Sequence, residues 1–131
     1  MSDQPIKIFI VEDEVLVAFE MSDTLEDLGF EVVGPSLRLD DAETRAMNSE
    51  IDVAMLDVNM GAGLTTKPVA DILRERGIPF IFITAYDSSQ ISFLGPDDKV
   101  LRKPVNSNSL IDALRQVWPD LPPEIKPARL V

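Results

Sequence analysis

Residues Ile6–Glu14 read IKIFIVEDE, a run that is apolar but for Lys7 and passes without a break into three acids. A near-continuous β-branched and aromatic run of this length suits a strand buried on both faces, as in a parallel sheet. The same design recurs along the chain. Phe30–Gly34 (FEVVG) reads as a second strand, and Ile51–Leu56 (IDVAML) as a third that delivers Asp57. Pro79–Thr84 (PFIFIT) is a fourth, and Lys99–Arg102 a short fifth ahead of Lys103 and Pro104.

Helical spacing fills the intervals. Val15, Leu16, Phe19, Leu25 and Leu28 recur on one face after the first strand, and Gly29 supplies a stop. A weaker helix over Leu39–Asn48 places Leu39, Ala42 and Ala46 together. Asn59–Thr66 reads as a flexible stretch, followed by a helix over Lys67–Arg76 closed by Gly77. The segment Asp87–Leu94 gives only a marginal helix, whereas Leu110, Ile111, Leu114, Val117 and Trp118 form the clearest apolar stripe of the chain. Five strands alternating with five helices predict an α/β fold, a doubly wound parallel sheet with helices on both faces. The expected division is one domain over residues 1–118 and a Pro-rich, extended tail over 119–131.

Composition removes several functions. The 131 residues contain no cysteine and no histidine, which excludes disulfides, thiolate zinc sites, imidazole ligands and Ser-His-Asp catalysis. A bound metal would have to sit among oxygens, which favours a hard cation. The net charge of −11, from 23 acidic and 12 basic residues, would repel a phosphate backbone and argues against nucleic-acid binding. It equally suits simple solubility or the steering of a basic partner. Met1–Lys7 lacks the features of a signal peptide, and Ile78–Ala85, the longest apolar stretch, is too short to span a bilayer. The expectation is a cytoplasmic protein with no membrane or nucleic-acid partner.

In doubly wound sheets, ligands bind beyond the carboxyl ends of the strands. Glu12, Asp13 and Glu14 stand there after the first strand, Asp57 after the third, Thr84 at the end of the fourth and Lys103 after the fifth. Crowded carboxylates need a hard cation, so Glu12, Asp13 and Asp57 form a credible site for magnesium or manganese. A carboxylate can carry an acyl phosphate, and the metal, Lys103 and the Thr84 hydroxyl suit the charge of a transferring phosphoryl group. Each residue also has a plainer reading. Acids favour helix N-termini, a lone Asp often caps a turn, Thr is a β-former and Lys a surface charge. Their joint occurrence, one group per strand, sets the set apart.

On the motifs IVEDE (10–14), MLDVNM (55–60), ITA (83–85) and RKP (102–104), the chain resembles the response-regulator receiver family over about Pro5–Trp118. The resemblance implies a flavodoxin-like sheet of order 2-1-3-4-5 and phosphorylation at Asp57. It implies direct metal binding by Asp13, water-mediated binding by Glu12, a ligand from the main-chain carbonyl of Asn59, and a cis bond between Lys103 and Pro104. It also implies a sensor histidine kinase as donor, with a phosphotransfer protein or downstream protein as a further partner, met near the last helix and strands four and five. The chain would then be no enzyme toward other substrates, catalysing only its own phosphorylation and dephosphorylation.

Two departures from the family pattern stand out. The loop after Asp57 reads Met60-Gly61-Ala62-Gly63-Leu64, and its two glycines suggest mobility until a ligand orders it. The usual aromatic switch position holds Val100, while Tyr86 follows Thr84 by two residues. PFIFITAY resembles the stand-alone receivers nicknamed FAT GUY, and Tyr86 is expected to take over part of the switching. A phosphorylation-independent adaptor is the competing reading, although a scaffold has no use for all five site residues. A haloacid-dehalogenase-type hydrolase is disfavoured because Asn59 stands where a second Asp would be needed, and no cap domain fits.

Overall fold

Alternation along each strand decides how the layers form. Ile8 and Ile10 face one side of the sheet with Val53, Met55, Ile81 and Ile83, and all six are buried. Phe9 and Val11 face the other side with Ala54, Leu56 and Phe82. A strand whose successive side chains are all buried needs a helical layer on each face.

The computed structural model describes residues 5–85, 91–123 and 125. The strands are β1 (Lys7–Val11), β2 (Glu31–Ser36), β3 (Val53–Asp57), β4 (Phe80–Thr84) and β5 (Val100–Arg102). They form one parallel sheet in the order β2-β1-β3-β4-β5. The helices are α1 (Val15–Asp27), α2 (Leu39–Asn48), α3 (Lys67–Arg76) and α4 (Ser107–Val117). Leu25 of α1 and Leu110, Ile111 and Leu114 of α4 complete the first apolar cluster. Ala42 and Ala46 of α2 and Val69, Ala70 and Leu73 of α3 complete the second. Burial of each Val, Leu, Ile, Met or Phe side chain among these contributes about 1.5–3 kcal/mol. Both α1 and α3 end in the same hydrogen-bonded stop: Phe30 N–H reaches Leu25 O at 3.0 Å, and Ile78 N–H reaches Leu73 O at 2.9 Å.

The fold departs from the sequence reading in four places. Four helices, not five, occur among the described residues. Residues 91–99 hold turns in place of the end of the marginal helix, and residues 87–90 lie outside the description. Ile91, Phe93 and Leu94 lack a full helical repeat, and Gly95-Pro96 interrupts the chain. Side chains fix this segment instead. Phe93 meets Phe82 edge-on at 5.5 Å between ring centroids, and Arg74 of α3 grips both oxygens of Asp98 at 2.8 and 2.9 Å.

The stretch after Asp57, expected to be flexible, is a hydrogen-bonded turn. Met60 N–H donates to Leu64 O, Leu64 N–H to Gly61 O and Thr66 N–H to Val58 O, at 2.9, 2.9 and 3.1 Å. Beyond Trp118, the described part of the Pro-rich segment, residues 119–123 and 125, folds back on the domain. Arg115 donates to the carbonyls of Leu121 and Ile125 at 3.0 and 2.9 Å, and Leu121 is buried in the first cluster.

The fourth departure is that β2 runs through Gly34 and Pro35 to Ser36, with a register shift opposite Phe9 and Val11 of β1. An edge strand tolerates proline because one row of its N–H groups needs no partner. Gly34 adopts φ +92°, and a Cβ there would stand 2.7 Å from Ser36 N and 3.2 Å from Ile10 O. Both neighbours are backbone, so neither can turn aside. Gly34→Ala is therefore expected to destabilise the fold by about 1–3 kcal/mol. Urea unfolding would check this, and an unchanged midpoint would show that the strand end relaxes freely.

Candidate functional site

Parallel register brings the critical strand ends together. Val11 of β1 lies beside Leu56 of β3, and Asp57 beside Ile83 of β4, so Glu12 and Thr84 flank Asp57. The bulged end of β2 contributes too: Ser36 O accepts the Glu12 N–H at 3.0 Å and fixes the chain where the acids begin. Lys103 N–H donates to Thr84 O at 2.8 Å, which carries β5 pairing one residue further and sets Lys103 at the same edge. The bond from Lys103 to Pro104 is cis, in agreement with the sequence-based expectation.

Carboxylate oxygens of Glu12, Asp13 and Asp57 lie within 4.8 Å of one another. Glu12 is wholly buried, Asp57 nearly so, and Asp13 half-buried. Glu12 Oε1 accepts the Glu14 N–H at 3.1 Å. Its Oε2 lies 2.8 Å from Lys103 Nζ as an ion contact, but makes no aligned hydrogen bond among the described residues. Lys103 Nζ also lies 3.4 Å from Asp57 Oδ2. One ammonium thus contacts two of the three clustered carboxylates.

The titration of these groups reflects the crowding. Burial first, and then the charge of Glu12, push the Asp57 carboxyl up to about 7 against the pull of Lys103. Burial pulls the Lys103 ammonium down, but contact with Glu12 and the charges of Asp57 and Glu12 outweigh it and hold the group above an ordinary lysine. The surplus negative charge, the all-oxygen donor set and the unaligned Glu12 Oε2 fit a hard divalent cation. Nothing in the donor set suits a soft metal.

The remaining expected residues are placed as follows. Thr84 is buried at the end of β4. Asn59 is exposed and bridges to Thr65, which holds the start of the loop beside the acids. Val100 is half-buried against the second cluster, away from the three carboxylates. Tyr86 lies outside the described residues. Two contributors were not assigned to the site from sequence: Ser36, through its carbonyl, and Gly61. A Cβ on Gly61 would come within 3.3 Å of Asp13 Oδ2, so this glycine lets the turn approach the acid closely. The glycine-rich loop was the available signal for the second. No local signal marks a main-chain carbonyl like that of Ser36.

The response regulator receiver domain family matches residues 8–115 of the chain. The chain is 33% identical over 87 residues to the phyllosphere-induced regulator PhyR of Methylorubrum extorquens, covering 65% of this chain and 33% of that protein. It spans between a third and about half of the length of the curated relatives it matches. The solution structure of SdrG from Sphingomonas melonis Fr1 shares 37% identity at a TM-score of 0.72, covering 89% of this chain and 98% of that one. A response regulator receiver protein from Sinorhizobium medicae shares 26% identity at a TM-score of 0.78, covering 91% and 98%.

The raised Asp57 carboxyl has a consequence for stability. An acid whose folded pKa lies above its unfolded value of about 3.9 stabilises the fold most below that value, and the contribution is lost as pH rises toward 7. Metal-free Asp57→Asn should lack this decline and be more stable than the wild type at pH 8, by on the order of 2 kcal/mol. A divalent cation should narrow the gap by stabilising the wild type. Thermal melts from pH 4 to 8 would measure it, and parallel curves for both proteins would exclude charge crowding at Asp57.

Proposed function

The chain belongs to the response regulator receiver domain family, and we propose that it accepts a phosphoryl group on Asp57 from a sensor histidine kinase. The observation that carries this reading is the placement of the Asp57 carboxylate between an ammonium and two further acids at one edge of the sheet. In the proposed step, an Asp57 oxygen attacks phosphorus, the P–N bond of the donor phosphohistidine breaks, and the nitrogen leaves with the bonding pair. Lys103 and the Thr84 hydroxyl then hold the oxygens of the acyl phosphate. Asp13 and Asp57 would hold magnesium or manganese directly, Glu12 through water, and Asn59 through its main-chain carbonyl. The bound cation would offset charge on the transferred group.

The attacking carboxylate must be ionised, and with a pKa of about 7 it is only partly so near neutrality. A cation at the acids and the ammonium of Lys103 both favour the ionised form. For the donor, α1 exposes Leu16 and Phe19 just beyond the acids, an apolar ledge beside the reacting edge. The signal would pass on by protein contacts, or the phosphoryl group would return to another kinase or a phosphotransfer protein. A cytoplasmic location belongs to the same reading. Among the described residues, no helix is long and apolar enough to cross a membrane.

Incubation with magnesium and acetyl phosphate should give an acid-stable, base-labile label on the wild type and none on Asp57→Asn. Equal labelling of both would refute the assignment and leave the adaptor reading. Val100 is too small to act as the usual aromatic lever. Tyr86 is proposed to take part of that role and to hinder the water that hydrolyses the acyl phosphate. Tyr86→Ala should then shorten the acyl-phosphate lifetime severalfold and weaken partner binding. If both stay unchanged, Tyr86 has no part in the switch.

A further inference from the structure

The two faces of the sheet are covered differently. On one face α2 and α3 pack directly against each other, whereas α1 and α4 do not approach so closely and leave a cavity of about 380 Å3 between them. The stripe Val17, Glu20, Met21 and Thr24 of α1 forms one wall, and Lys103–Asn106 with Leu110 form the other. The floor is Met55 and Ile83, which belong to the buried core. From this geometry we infer that the cavity is a binding site for an aromatic small molecule that bears an N–H donor and no negative charge, a compound of the indole type.

Size and lining carry the class of ligand. Pockets that bury a small molecule run from about 300 Å3 upward and are mostly apolar with a few polar groups, and this one has that character. An apolar void much smaller than this already holds benzene.

Charge carries the rest. Among the described residues Lys103 is the only basic one of the lining, and its ammonium is committed to Glu12 and Asp57 at 2.8 and 3.4 Å. An anionic ligand would therefore lose its hydration without gaining a counter-charge. Glu20 stands exposed at the mouth, and its carboxylate makes no hydrogen bond or ion pair among the described residues. It is a free acceptor for one N–H on a flat apolar ring. A bound ring would also touch the Lys103–Pro104 segment and lie under Ile83, the residue before Thr84, so its binding would be felt at the edge that carries Asp57.

The test uses the full metal-free chain labelled with 15N and no phosphodonor, so its outcome is independent of whether Asp57 accepts phosphate. Indole should shift the amide signals of Met55, Ile83, Val105 and Leu110 saturably. Indole-3-acetate should bind at least tenfold more weakly. Val17→Trp, which fills the cavity from one wall, should weaken indole binding at least tenfold while keeping a folded amide spectrum. Thr24→Trp, at the rim, provides the same test if the first variant fails to fold. Shifts that do not saturate, that fall elsewhere, or that persist in the filled variant would overturn the site. Equal binding of indole and indole-3-acetate would overturn the charge argument and with it the stated class.

Discussion

Three carboxylates held close together at one edge of a sheet, against a single ammonium, are the constraint to which the rest of the domain answers. Like charges this close repel, and burial of Glu12 and Asp57 removes the water that would otherwise screen them. The edge persists because its backbone is tied at several points. Ser36 holds the start of the acidic run, the turn over residues 59–66 closes on itself, and Thr84 holds the main chain of Lys103. The stability of the two apolar clusters is what permits so unfavourable a charge arrangement at their border. Tension of this kind is characteristic of sites tuned for chemistry.

Much of this was legible in the residues, for identifiable reasons. The β-branched runs are nearly continuous, so strand identity and the parallel sheet followed from composition within short windows. The position rule for doubly wound sheets then converted four strand ends into a list of candidate groups, and Glu12, Asp13, Asp57 and Lys103 do meet. The strand order and the cis Lys103–Pro104 bond followed from family resemblance alone, because neither has a local signature.

What escaped the sequence depends on partners distant along the chain. Residues 91–99 are set by Phe82 and Arg74, which no local window contains, so a weak helical pattern gave way to docked turns. The loop after Asp57 looked mobile because two glycines widen the allowed backbone. Its own main-chain hydrogen bonds order it instead. The Gly34–Pro35 pair looked like the end of a strand, but its place at the sheet edge lets β2 continue to Ser36. The packing of Leu121 was hidden among prolines, since a single apolar residue has no periodicity to announce its burial.

The Arg115 clamp on the carbonyls of Leu121 and Ile125 has a geometric corollary. It brings Pro122 beside Pro5, Ile6 and Lys7 at the start of β1, the end of the sheet opposite the acids. A parallel sheet has a polarity, and this chain keeps its acidic pole and its anchoring pole a full strand length apart. A fluorophore or immobilising handle placed near Pro122 would thus report on the domain without crowding the surface where the proposed donor would land.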